Sequence, residues 1–199
     1  MKNHEKYDYL LMFRWILINL VGCICLGVAY LNGWVGMVLA ADPTYISVVI
    51  FVIFLWGVLI SGVRTYSTSR EINYAKKGSK KSKWRYIMTA IESQQDDPAK
   101  IIEAMRMKMF ARISAVKWFA NSLVLMGLIG TVVGFIIALS GVDPALVSDV
   151  TAIGRMVSFL ISGMGTALYT TLVGGVLNLW LSANYQILAE GSANLLATL

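Results

Sequence analysis

Ser158, Ser162, Thr166 and Thr170 recur at four-residue intervals inside a long apolar stretch, with Gly154 before them and Gly174, Asn178 and Ser182 continuing the row; Thr171 stands beside it. At 3.6 residues per turn, neighbours in such a series share a helix face, and the stripe winds by about 40° per step. A helix surrounded by lipid has no use for a row of hydroxyls. Two uses remain: close packing on another helix through small side chains, or a polar path whose hydroxyls replace water around an ion. Either use needs assembly, because one four-helix chain can hardly enclose a pore. Upstream, Gly127-Leu128-Ile129-Gly130-Thr131-Val132-Val133-Gly134 sets a threonine among glycines. Gly130 and Gly134 form a small-xxx-small pair suited to close helix approach, and Thr131 can bond back to a carbonyl one turn earlier.

The missing chemistry is equally informative. The stretches Trp15–Ala41, Pro43–Val63, Trp118–Val142 and Met156–Ala189 hold no Asp, Glu, Lys, Arg or His. Proton relays through membranes use side chains that gain and lose a proton near working pH. If this chain moves ions, the titrating group must come from another polypeptide. Arg155 is the one charge near a span interior, and is expected to snorkel outward or pair with Asp143 or Asp149. Cys23 and Cys25, two apart on a helix, point to different sides and read as small apolar residues; His4 is the sole histidine. No metal constellation, phosphate loop or nucleophile–base pair is present in the sequence, so the expectation is a protein that is not an enzyme and needs no cofactor.

The elements that must position these residues follow from composition. The chain is 57% apolar and 14% charged, well short of the roughly 25% charged residues of a soluble domain. Each uncharged stretch exceeds the roughly 20 residues a helix needs to cross the hydrocarbon, and backbone in lipid must satisfy its own hydrogen bonds. The fold class is therefore all-α, a polytopic membrane protein with four transmembrane helices. The expected organisation is a tail and helical hairpin over 1–63, with spans about 15–38 and 43–63, a basic loop and helix extension over 64–117, and a second hairpin over 118–190, with spans about 118–141 and 153–185. The first stretch has some features of a secretory signal, with Val38-Leu39-Ala40 as a small-residue site, but it is long for one and Glu5 and Asp8 dilute its basic start.

Lys2, Lys6 and Arg14 precede the first span and thirteen basic residues lie from Arg64 to Lys117, while the two opposite connections carry only Asp42, Asp143 and Asp149 as charges. The positive-inside rule puts both termini and the 64–117 loop in the cytoplasm. Within that loop a helix extension gives way to a basic turn around Gly78, a surface suited to lipid headgroups. Asp96-Asp97-Pro98 then reads as a helix start, with nothing to stop the helix before Ser140. The third span is thus expected to extend into the cytoplasm as a rod with Ile101, Met105, Met109 and Ile113 along one stripe.

Gly127–Gly134, followed by Gly165-Thr166-Ala167-Leu168-Tyr169-Thr170-Thr171-Leu172-Val173-Gly174, resembles the MotA/TolQ/ExbB ion-channel family. The resemblance rests on a Gly-Leu-x-Gly-Thr-Val-x-Gly segment in one pore helix and an Ala-Leu-x-x-Thr-x-x-Gly segment in the next, and covers about 118–190. It implies a subunit of an ion-driven motor in the bacterial inner membrane. Such subunits form a homopentamer around a dimer of single-span partners like MotB, TolR or ExbD, each with one membrane Asp that carries the ion. By position, Thr131 and Thr171 match the family's pore-facing threonines, with Ser158, Ser162, Thr166 and Thr170 continuing the hydroxyl lining; Gly127, Gly130, Gly134 and Gly174 are the packing positions. Thr166 stands where the TolQ and ExbB branch has Glu, and Asn178-Leu179-Trp180 replaces a later Pro. Four spans with a cytoplasmic loop after the second is the MotA arrangement, yet 64–117 is short for a flagellar stator's torque-bearing domain. The resemblance implies protons as the ion, whereas hydroxyl linings could also solvate sodium. The alternative is a non-conducting scaffold assembled through its small residues.

Overall fold

A computed structural model of the chain describes residues 10–76, 98–142 and 150–197. The N-terminal tail with His4, the basic turn around Gly78, the Asp96-Asp97 cap and the loop with Asp143 and Asp149 lie outside the described residues. All of the elements described are α-helices: α1 (Leu10–Leu31), α2 (Trp34–Ala41), α3 (Ile46–Lys76), α4 (Pro98–Ser140) and α5 (Val150–Ala197). Four of them contain stretches long and apolar enough to cross a membrane: Leu10–Leu31, Ile46–Arg70, Ile113–Ser140 and Ala152–Ala193. α4 is described from Pro98 and runs unbroken for 43 residues to Ser140.

The first span differs from expectation. It stops at Leu31 instead of continuing to about 38, because Gly33 takes a left-handed conformation, φ 77°, that glycine reaches without a Cβ clash. The Asn32 side chain and backbone amide both donate to Val28 O at 3.0 Å, closing the end of α1. The chain then turns at Asp42-Pro43-Thr44. Asp42 is buried and accepts from Thr44 N at 3.1 Å, from the Thr44 hydroxyl, and from Ser47 N at 2.6 Å. Amides in the first turn of a helix lack intrahelical acceptors, and this carboxylate supplies acceptors where α3 begins. Burial alone would raise the Asp42 pKa, but the Thr44 hydroxyl and the Ser47 and Thr44 amides outweigh it and hold it below the usual carboxylate range.

The helices contribute to two compact units. One comprises 22–57 and 118–181. Its core includes Ile50, Phe54, Leu123, Leu177 and Leu181, and Trp180 packs its ring 4.9 Å from that of Phe54. A Cβ on Gly22 would run into the Trp180 indole, so the ring sits directly on the α1 backbone.

The other unit comprises the described parts of 1–21, 58–117 and 182–199. Trp15 lies over Gly62 and donates from Nε1 to Ser61 Oγ at 3.3 Å. Asn19 donates to Asn184 Oδ1 at 2.7 Å and to Trp15 O at 2.8 Å. Asn184 is fully buried, and such an amide pair is a polar tie where water is scarce. Arg14 and Glu190 form an exposed ion pair at 3.5 Å, and Lys117 Nζ stands 6.0 Å from the centre of the Tyr185 ring.

Candidate functional site

The candidate site is the seam between α4 and α5 in the 22–57/118–181 unit. The two helices run antiparallel in close contact, because glycines face backbone along the seam. A Cβ on Gly127 would lie 3.2 Å from Thr170 O and 3.3 Å from Thr171 Cα; one on Gly174 would lie 2.7 Å from Leu123 O and 3.2 Å from Gly127 Cα. Gly130 faces the Thr170 side chain, and Gly134 faces the backbone of Gly163 and Ala167. Gly163, outside the recognised motifs, meets the backbone of Gly134 and Ala138 and is equally part of this approach.

The seam divides the hydroxyls into three groups. Thr166 and Thr170 are fully buried. Thr166 Oγ1 donates toward Ala41 O at 2.9 Å and Ser162 O at 3.1 Å, and Thr170 Oγ1 toward Thr166 O at 2.8 Å and Ala167 O at 3.2 Å. Within the chain these two serve as packing and tie the end of α2 to α5. Ser162 and Ser158, about one and two turns before Thr166, are exposed. The division follows from the winding of the stripe: three steps of about 40° carry Thr170 well round the helix from Ser158.

Thr131 and Thr171 form the third group, at the open edge of the seam. Thr131 is half-buried and Thr171 exposed. Thr131 Oγ1 donates to Leu128 O at 2.6 Å, and Thr171 Oγ1 donates across the seam to Gly127 O at 3.2 Å. A hydroxyl has one proton and two acceptor lone pairs. With both protons committed to backbone carbonyls, the two oxygens keep lone pairs for a cation or for the O–H of a protonated acid. A shallow apolar hollow of about 70 Å³, lined by Phe135, Met164, Ala167 and Leu168, occupies the same edge one turn beyond Thr131.

Arg155 is exposed on α5, and the aspartates expected to pair with it lie outside the described residues. Among the described residues no group of His, Cys, Asp and Glu side chains is placed to hold a metal ion. Two features escaped sequence reasoning. The Thr166–Ala41 tie depends on α2, whose break was visible only as Asn32-Gly33; the buried role of Asp42 was legible in Asp-Pro-Thr ahead of an apolar run.

Four apolar helices with a glycine-lined, hydroxyl-bearing seam define a multi-pass helical membrane protein with its polar groups at a helix–helix contact. The chain belongs to the MotA/TolQ/ExbB proton channel family, whose sequence model matches residues 71–199. That family comprises proton-channel membrane subunits of energy-transducing complexes. No curated protein and no solved structure matches the chain significantly.

Proposed function

We propose that the chain is the channel-forming subunit of a proton-driven motor in the bacterial inner membrane. It works as a homopentamer around two single-span partners of the MotB, TolR or ExbD kind, each bearing a membrane Asp. Protons pass at the interface, and their passage powers rotation or other mechanical work. Both termini and the 64–117 segment lie in the cytoplasm, in line with the basic residues concentrated there.

The observation that carries this reading is the placement of Thr131 and Thr171. Their oxygens stand at the open edge of the α4–α5 seam with lone pairs available, in two stretches that hold no Asp, Glu, Lys, Arg or His. A partner Asp arriving protonated donates its O–H to one of these oxygens; once ionised, it draws the hydroxyl protons away from the carbonyls. Each threonine can therefore serve both protonation states by rotating one bond, which lowers the cost of holding the carboxylate in a poorly solvated place. Thr131→Val with Thr171→Val preserves shape and removes both hydroxyls. Abolished motor output with an intact complex is the expected result, and an active double variant would overturn the assignment. Output measured in sodium-free medium, with and without a protonophore, identifies the ion.

A further inference from the structure

We propose, resting on the channel reading above, that the apolar hollow beside Thr131 and Thr171 seats one aliphatic side chain of the single-span partner. That side chain stands one helical turn outward of the partner's Asp, and its seating sets the depth at which the Asp meets the two threonines. The hollow, about 70 Å³, is lined by Ala167 and by the side chains of Phe135, Met164 and Leu168. Ala167 is buried against Gly134 and forms the floor, while the other three are exposed and form the rim.

Water has no place there. A held water needs about two to four polar partners, and these four side chains supply none, so the occupant is apolar. Its position identifies it. Phe135 follows Thr131 by four residues on α4, and Leu168 and Ala167 precede Thr171 by three and four on the antiparallel α5. The hollow therefore lies one turn, about 5.4 Å, along the seam from both hydroxyls. A helix with its side chains is about 10 Å thick, so a partner helix resting on the threonines covers the hollow as well. Its side chains three and four positions from the Asp share the Asp's face one turn along, which is the same step as from hydroxyls to hollow. A lipid tail on this edge would fill the hollow but offer nothing to the lone pairs of Thr131 and Thr171.

The test is photo-cross-linking in cells, with an aliphatic diazirine amino acid in place of Leu168 in the tagged full-length chain and the attached peptide read by mass spectrometry. The expected adduct joins a single-span chain within one turn of an Asp in its apolar segment, and is absent when the probe replaces the exposed Val28 on α1. Attachment to a second copy of this chain, to lipid alone, or to the partner two turns or more from its Asp overturns the proposal. Proton uptake into liposomes by the purified complex, driven by a potassium potential with valinomycin, gives a second measurement. Met164→Trp with Leu168→Trp fills the hollow and should lower uptake about fivefold or more, whereas Met164→Leu with Leu168→Ile stays within about twofold of the parent. Parent-like uptake by the tryptophan variant also overturns the proposal. The Thr131→Val, Thr171→Val double variant separates the two readings. If it conducts normally, the channel assignment itself fails; if it is silent while the adduct lies elsewhere, only the seating in the hollow fails.

Discussion

Thr171 on α5 donates from Oγ1 to the carbonyl of Gly127 on α4, 44 residues earlier, at 3.2 Å. The next carbonyl along α4, that of Leu128, receives the hydroxyl of Thr131. Two consecutive carbonyls thus hold the protons of both seam-edge hydroxyls, which ties their orientation to the helix–helix contact. That contact is set by the glycines, since a side chain at Gly127 would press on Thr171 itself.

The two pairs of threonines should separate in their effects. Thr131→Val with Thr171→Val is expected to cut ion flux about tenfold or more while leaving melting nearly unchanged, since each lost bond to a reacting group costs on the order of 1 kcal/mol. Thr166→Val with Thr170→Val removes buried, backbone-bonded hydroxyls and should lower stability by a similar amount, on the order of 1 kcal/mol per site. Flux in liposomes and thermal unfolding in detergent, measured on both double variants, distinguish the roles.

Gly134→Leu should destabilise the chain by roughly 1–3 kcal/mol or more, because the added side chain meets the backbone of Gly163 and Ala167, which cannot move without parting the helices. Gly27→Leu is the control: nothing lies within 4 Å of its Cβ, and unfolding of the isolated chain in detergent should hardly change. Equal losses in both would contradict the close approach of α4 and α5.

Asp42 gives a pH dependence with a definite sign. Its folded-state pKa lies below the ordinary value of 3.8, so its stabilising effect is fully present above that value and is lost as pH falls through the lower folded value. Melting temperature should therefore decline below about pH 4, and Asp42→Asn, costing about 1 kcal/mol at neutral pH, should flatten that part of the decline. A parent and variant with parallel acid profiles would exclude the cap.

Asn19 and Asn184 should behave as a coupled pair. Asn184→Leu alone leaves Asn19 only its bond to Trp15 O and destabilises, whereas Asn19→Leu with Asn184→Leu recovers part of the loss. A coupling energy of about 0.6–1.7 kcal/mol is expected from the double-variant cycle, the range for hydrogen bonds between membrane helices. A value near zero would show that each amide finds other partners.

Much of this molecule is determined by the sequence alone. Uncharged stretches longer than a bilayer's hydrocarbon can only be helices, Pro98 can start one and nothing before Ser140 can stop it, and the glycine–threonine segments identify the family. The absence of Asp, Glu, Lys, Arg and His from the four apolar stretches follows from composition in the same way. Tertiary structure decided what periodicity leaves degenerate. A four-residue row of hydroxyls winds around its helix, so sequence can place Ser158, Ser162, Thr166 and Thr170 on one stripe but cannot say which part of it a neighbouring helix covers. Packing of α4 and the end of α2 buried Thr166 and Thr170 and left Ser158 and Ser162 exposed. The break at Gly33 was signalled only by the Asn32-Gly33 pair within an uncharged stretch, because hydropathy measures transfer to lipid and carries no record of a backbone dihedral.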